Sequence, residues 1–157
     1  MGMDSCKCIG VGAAPIAMES LEYFLSLDIP LLECYGMSET GGPHTGNRPG
    51  HHKLGSIGPS IGECRTKIYN PDSDGEGEII MSSRNIMMGY LFNEDKTKEA
   101  IDEEGWMHSG DLGTQLDNGY FKVNCQYIAM KSKFTSIFVL IFLDESASEW
   151  QHFKKPS

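Results

Sequence analysis

The sequence predicts an α/β chain, in which the end of a parallel sheet runs into a smaller, barrel-like β region. Three observations carry that class. Short apolar runs at residues 8–11 and 29–34 flank an amphipathic stretch at 16–27, the strand–helix–strand order of a βαβ unit. Residues 36–62 are dominated by Gly, Pro, Ser, Thr and His, and no helical period survives there. Further strand candidates then follow at 64–69, 77–82 and 119–123, separated by turn signals such as Asn70-Pro71-Asp72 and Asp74-Gly75.

The first strand candidate ends in the loop Gly12-Ala13-Ala14-Pro15. Pro15 suits the opening of a helix over residues 16–27, where Leu21, Phe24 and Leu25 make an apolar stripe, and Asp28 before Pro30 suits its end. Ligands of such units bind at the C-terminal ends of the strands, so this loop and the one after Tyr35 should share an edge. A short helix is expected at residues 93–101, with Asn93 as N-cap and Glu94 and Asp95 in its first turn. From Asn124 the turn punctuation stops. Residues 134–143 become almost wholly apolar, β-branched or aromatic, which reads as a buried strand needing a partner or as an aggregation-prone window.

Composition bounds the function. The chain has 157 residues, room for one ordinary domain, and 22 Asp and Glu against 13 Lys and Arg give a net charge of -9. With no clustered cations, nucleic acid is not an expected partner. Mean hydropathy is -0.31 and residues 137–143 form the longest apolar run, far below the roughly 20 residues that cross a bilayer, so no transmembrane segment is expected. The start carries neither a secretory pattern nor a myristoylation signal, and the expectation is a cytoplasmic chain. Peripheral attachment, as at the endoplasmic reticulum membrane, stays compatible with it, although the acidic balance gives no support for docking on anionic lipid. Cys6, Cys8, Cys34, Cys64 and Cys125 make no even disulfide framework and read as reduced thiols. His51-His52 between glycines reads as a solvated loop rather than a zinc site.

Two segments carry chemistry. Tyr35-Gly36-Met37-Ser38-Glu39-Thr40-Gly41-Gly42 is a strand end, a glycine hinge, two hydroxyls around one carboxylate and two more glycines. Hydroxyls and backbone N–H groups can hold phosphate or carboxylate oxygens, a carboxylate can anchor Mg²⁺ beside them, and an aromatic ring can stack a planar base. The same pattern is also met as a polar turn after a core strand. In Gly105-Trp106-Met107-His108-Ser109-Gly110-Asp111-Leu112-Gly113, an aspartate between glycines at a strand end can accept two hydrogen bonds from a ribose diol, though Gly-Asp is often only a turn. Gly10-Val11-Gly12 lacks the third glycine of a dinucleotide fingerprint, since Pro15 stands there.

Taken together and in order, Gly12-Ala13-Ala14-Pro15, the Tyr35–Thr40 segment followed by Gly42-Pro43-His44-Thr45, Gly77-Glu78-Ile79 leading to Met88-Gly89-Tyr90, and Gly105 through Gly113 resemble the adenylate-forming acyl-CoA synthetases. Gly42-Pro43-His44-Thr45 and the acidic lead-in Glu99-Ala100-Ile101-Asp102-Glu103-Glu104 favour the bubblegum-type long-chain fatty-acid–CoA ligases over luciferases or acetyl-CoA synthetases. An aryl or medium-chain ligase is a further alternative, because most of the acyl pocket is not in this sequence. The likeness covers roughly residues 8–123.

The resemblance implies part of an adenylate-forming N-terminal domain without the C-terminal domain, divided as residues 1–47 (end of the α/β nucleotide-binding subdomain), 48–123 (β-rich subdomain) and 124–157 (a divergent tail). It implies ATP, Mg²⁺, CoA and a long-chain fatty acid as the reacting species, through an acyl-adenylate and pyrophosphate, and then displacement of AMP by the CoA thiol. By the same resemblance Tyr35 packs on adenine, Ser38 approaches the α-phosphate, Glu39 holds Mg²⁺ and Asp111 binds the ribose hydroxyls. Gly12 and Ala13 line the adenine and acyl side, and Gly36, Met37 and Thr40 complete the nucleotide loop; Ser38 and Glu39 are the catalytic candidates. The departures are specific. No Ser/Thr/Gly-rich loop ending in Lys precedes these motifs, Cys125-Gln126 stands where a glycine and a basic residue are expected, and Lys131, Lys133, Lys154 and Lys155 lack the context of the family's catalytic lysine. The isolated chain is therefore expected to be inactive, and the competing reading is a non-catalytic remnant that binds nucleotide weakly or serves as an interaction module.

Overall fold

A computed structural model describes residues 6–125 and 138–143. Two four-stranded sheets organise these residues. The first runs in the order β3 (Gly42–Gly46), β2 (Leu31–Met37), β1 (Cys6–Gly12), β8 (Phe138–Leu143), and the second β4 (Arg65–Tyr69), β5 (Glu76–Ser82), β6 (Met107–Gln115), β7 (Phe121–Cys125).

Strand β1 (Cys6–Gly12) pairs in parallel with β2 (Leu31–Met37), joined by helix α1 (Met18–Ser26). The expected βαβ unit is therefore present, with the helix one turn shorter than its apolar period. Leu21 is the buried residue of α1, and it closes a core with Ile9, Val11 and Leu31. Helix α2 (Glu94–Ala100) also forms where expected, and the Asn93 side chain accepts the Lys96 N–H at 3.2 Å.

Two strands depart from the sequence reading. β3 (Gly42–Gly46) lies within the stretch read as irregular, and pairs antiparallel with β2. β6 (Met107–Gln115) runs through a segment read as a strand end or a turn, and pairs with both β5 (Glu76–Ser82) and β7 (Phe121–Cys125). With β4 (Arg65–Tyr69) these strands form a curled antiparallel half-barrel around Ile57, Ile79, Met81, Met107 and Phe121. In the apolar tail run, β8 (Phe138–Leu143) pairs antiparallel with the free edge of β1, from Cys6 opposite Leu143 to Gly12 opposite Phe138. Residues 134–137 of that run, Gln126 and the four tail lysines lie outside the described residues.

The two sheets meet through β2 and β3. Tyr35 belongs to the first sheet yet its ring is buried in the core of the second. On the neighbouring strand, the His44 ring contacts the Arg65 carbonyl at 3.1 Å. The bend that makes this possible is at Gly36, where a Cβ would lie 2.1 Å from the Gly42 carbonyl oxygen. Backbone cannot yield there as a side-chain tip can. Gly36→Ala is expected to lower stability by about 2 kcal/mol or more through forced backbone displacement, measured as a shift in the urea midpoint.

Candidate nucleotide site

The site forms where β2 leaves its sheet. β1 and β2 run in parallel, so the Gly12-Ala13 loop and the segment after Tyr35 lie on one edge. Gly12 is close enough to β2 that a Cβ would meet the Cys34 carbonyl oxygen at 2.9 Å, and Ala13 takes a left-handed φ of 69°. Directly beyond β2, Ser38–Thr40 make a single 3-10 turn that ends at Gly41 in the left-handed region, φ 70°.

Thr40 shapes this turn. It is buried, and its hydroxyl accepts the Met37 N–H at 3.0 Å. The same oxygen lies 2.7 Å from the Gly42 carbonyl and 2.9 Å from that of Met37, so its proton is spent on the loop's own backbone. Ser38 is exposed and Glu39 half-buried, both carried outward by the turn.

The second chemical segment arrives on β6. Asp111 is 4% exposed, and the Tyr35 hydroxyl donates to its Oδ2 at 2.8 Å. Ser109 prepares this meeting, since its Oγ accepts the Asp111 N–H at 3.0 Å while donating to the Ile79 carbonyl at 2.6 Å. Burial first, and then the negative charge of Asp111, pushes the Tyr35 phenol far above its ordinary pKa. The phenol is therefore a fixed donor at neutral pH, and a carboxylate held by such a donor remains a strong acceptor.

Glu39 has its own partner, which the sequence places in the Met88-Gly89-Tyr90 block without assigning it a role. The Tyr90 hydroxyl donates to Glu39 Oε1 at 2.8 Å, and the Met87 N–H donates to the Glu39 carbonyl at 2.8 Å. The hydrogen bond to Glu39, then partial burial, then the carboxylate's charge raise the Tyr90 pKa. Among the described residues no group of three or more His, Cys, Asp or Glu side chains is placed to hold a metal. A single outward-turned carboxylate instead suits Mg²⁺, which keeps water and commonly binds through one or two carboxylates plus substrate phosphates.

Tyr35, Gly36, Met37, Ser38, Glu39 and Thr40 thus form one continuous bend, Gly12 and Ala13 adjoin its base, and Asp111 is bonded to its first residue. Such an arrangement can place a ring, a diol acceptor and a cation-binding carboxylate along one small molecule. A protein-family model described as AMP-binding enzyme matches residues 2–91.

The chain belongs to the AMP-binding enzyme family. It is 52% identical over 123 residues to the long-chain-fatty-acid–CoA ligase ACSBG2 of Xenopus laevis, an alignment covering 78% of this chain and 17% of that protein. With ACSBG1 of Homo sapiens it shares 46% over 123 residues, again 78% of this chain and 17% of the relative. The chain therefore spans about a sixth of the length of these curated relatives. Among solved structures, the o-succinylbenzoate CoA synthetase MenE of Bacillus subtilis in complex with its acyl-adenylate intermediate superposes with a TM-score of 0.69 at 28% identity, covering 78% of this chain and 26% of MenE. Apo MatB of Rhodopseudomonas palustris shares the fold, with a TM-score of 0.69 at 24% identity over 76% of this chain and 25% of its own.

The tie between the sheets beside this site is pH-sensitive. The Arg65 carbonyl can only accept, so the His44 Nε2 carries the proton and Nδ1 is the bare nitrogen of a neutral ring. Burial of this ring, 1% exposed, lowers its pKa below the ordinary 6.5, and the bond to Arg65 only partly offsets that. In the unfolded chain His44 takes up a proton near pH 6.5, whereas the folded ring resists it, so stability falls as pH drops below that value. Comparing melting temperatures at about pH 7.5 and 5.5, wild type should lose more than His44→Gln, which lacks the titrating ring.

Proposed function

We propose that this chain supplies the adenylate-binding part of a long-chain fatty-acid–CoA ligase. The proposed reaction joins ATP and a fatty-acid carboxylate through attack of the carboxylate oxygen on the α-phosphorus, with pyrophosphate leaving. The CoA thiolate then attacks the acyl carbonyl, and AMP departs. The observation that carries the reading is the bond between Tyr35 and Asp111 at the mouth of the Ser38–Thr40 turn, two family motifs 76 residues apart brought into contact.

In this proposal the Tyr35 ring backs the adenine and Asp111 accepts from the ribose hydroxyls, exchanging part of its present hydrogen bonding for the diol. Ser38, exposed at the head of the turn, donates to the α-phosphate. Gly12 and Ala13 border the base and the acyl side through their backbones, and Gly36, Met37 and Thr40 set the path of the loop. Glu39 would hold Mg²⁺, which when bound neutralises charge on the phosphates. Positioning and charge neutralisation are what phosphoryl-centre chemistry asks of a protein. CoA and a long-chain acid are the proposed further substrates, by likeness to the ligases named above.

The proposed division at residues 47 and 123 places Tyr35 and Asp111 in different subdomains, so the site belongs to their junction. These 157 residues contain no Lys-ended phosphate loop, and the proposal for them alone is binding without turnover. No helix among the described residues is long and apolar enough to cross a membrane. The proposal includes, by likeness to the ligases named above, a cytoplasmic setting with peripheral association at the endoplasmic reticulum membrane.

Titration calorimetry of the chain with ATP and Mg²⁺ tests the reading. Saturable binding is expected, weakened about tenfold or more in Asp111→Ala, where a charge-assisted acceptor is lost. Binding that Asp111→Ala leaves unchanged would refute the site. Pyrophosphate release with ATP, Mg²⁺ and a C16–C20 acid is expected at background, equal to that of Glu39→Ala. Release above background in wild type, lost in Glu39→Ala, would show the 157 residues to be catalytically sufficient.

A further inference from the structure

We propose that Tyr90 is a positioning residue for Glu39, its phenol fixing one carboxylate oxygen so that the other is presented to the cation that accompanies the nucleotide phosphates. The inference rests on the nucleotide reading given above and adds to it a residue from outside the loop itself.

The geometry is a clasp. The segment between β5 and α2 approaches the Ser38–Thr40 turn at two points on one residue, Glu39. Its backbone carbonyl accepts the Met87 N–H at 2.8 Å, and its Oε1 accepts the Tyr90 hydroxyl at 2.8 Å. No second hydrogen bond to the Glu39 carboxylate is made among the described residues, which leaves Oε2 for another ligand. A carboxylate on a three-bond stem samples many rotamers in water. Holding one oxygen removes most of that freedom before a ligand arrives, the general gain from preorganisation.

Tyr90 can act in this way because its own backbone is fastened. The Tyr90 N–H donates to Thr97 Oγ1 at 2.9 Å, and the Thr97 hydroxyl donates to the Asn93 carbonyl at 2.9 Å in the first turn of α2. Gly89 permits this close approach. Its φ is 150°, and a Cβ there would stand 2.7 Å from Thr97 Cγ2. Around the clasp the chain is otherwise loose in its packing, with Met88 and Phe92 almost fully exposed. The contacts of Tyr90 are therefore polar and directional, and they run from α2 through Thr97 and Tyr90 to Glu39. Tyr90 is 40% exposed, so Tyr90→Phe removes a hydroxyl without opening a core.

The test uses the 157-residue chain labelled with ¹³C at tyrosine Cζ, with Mn²⁺ standing in for Mg²⁺. The Tyr90 resonance is assigned by its loss in Tyr90→Phe. At neutral pH, Glu39→Gln should shift it, because the phenol's acceptor changes from an anion to an amide. A resonance that stays in place overturns the proposal and leaves the nucleotide reading standing. Mn²⁺–ATP should broaden this resonance in wild type. Tyr90→Phe should weaken Mn²⁺–ATP binding about two- to tenfold, the loss of one hydrogen bond to a charged group, while metal-free ATP binds as before. Thr97→Val, which loosens the Tyr90 backbone, should give a smaller loss in the same metal-dependent part. Equal losses with and without metal would make Tyr90 merely a loop contact and overturn its assignment. A wild-type chain that binds neither Mn²⁺–ATP nor ATP would overturn the nucleotide reading, and this inference with it.

Discussion

The hydrogen bond from the Tyr35 phenol to the Asp111 carboxylate is the constraint on which the rest of this structure turns. A buried carboxylate is costly unless donors meet it, and a buried phenol needs an acceptor. Each residue meets the other's requirement, and because they come from different sheets the exchange also sets how those sheets face each other. Tyr35 commits its ring to the second core, so β2 must leave its own sheet at that residue. Everything beyond it, the Gly36 bend, the Ser38–Thr40 turn and the return along β3, starts from that departure.

The loop that results is rigid where it must be shaped and open where it must bind. Thr40 spends its hydroxyl on the backbone, and Gly36 lets two backbone segments approach more closely than a Cβ allows. Ser38 and Glu39, by contrast, are turned outward with their polar groups toward solvent or toward Tyr90. Sequence neighbours thus divide between groups spent on shaping the loop and groups left facing outward. His44 and Asn47 continue the first task along the return path. The Asn47 side chain donates to the Glu33 carbonyl at 3.2 Å and the Ser56 carbonyl at 2.6 Å, while its oxygen accepts the Lys53 N–H at 3.1 Å. Glu33 in turn accepts the Gly55 N–H at 2.8 Å, and burial raises its pKa.

Much of this was legible in the amino-acid order, and the exceptions share a cause. The βαβ unit and α2 could be read because their apolar spacing and caps are local properties. β6 could not, because its inward-facing positions are Met107, Ser109, Asp111 and Gly113 while Leu112 is exposed, the reverse of ordinary alternation. Small and acidic residues occupy the core positions of this strand, and the carboxylate among them is the one bonded to Tyr35. β3 was hidden in the same way, with His44 and Thr45 buried between glycines. The family motifs singled out Tyr35, Glu39 and Asp111, but nothing local could show that the first and last touch, or that Tyr90 reaches back 51 residues to Glu39. Such contacts depend on how two sheets fold over one another, which short-range patterns do not encode.

Tyr35 and Asp111 act as one unit holding the sheets and the loop in place. A double-mutant cycle in urea, with Tyr35→Phe, Asp111→Ala and the pair, measures this directly. A coupling of about 1–3 kcal/mol is expected, since each single change deprives a buried polar group of this bond and the double change removes both groups that make it. Stability losses that simply add, with coupling near zero, would mean that the two side chains do not depend on each other in solution and would contradict the account.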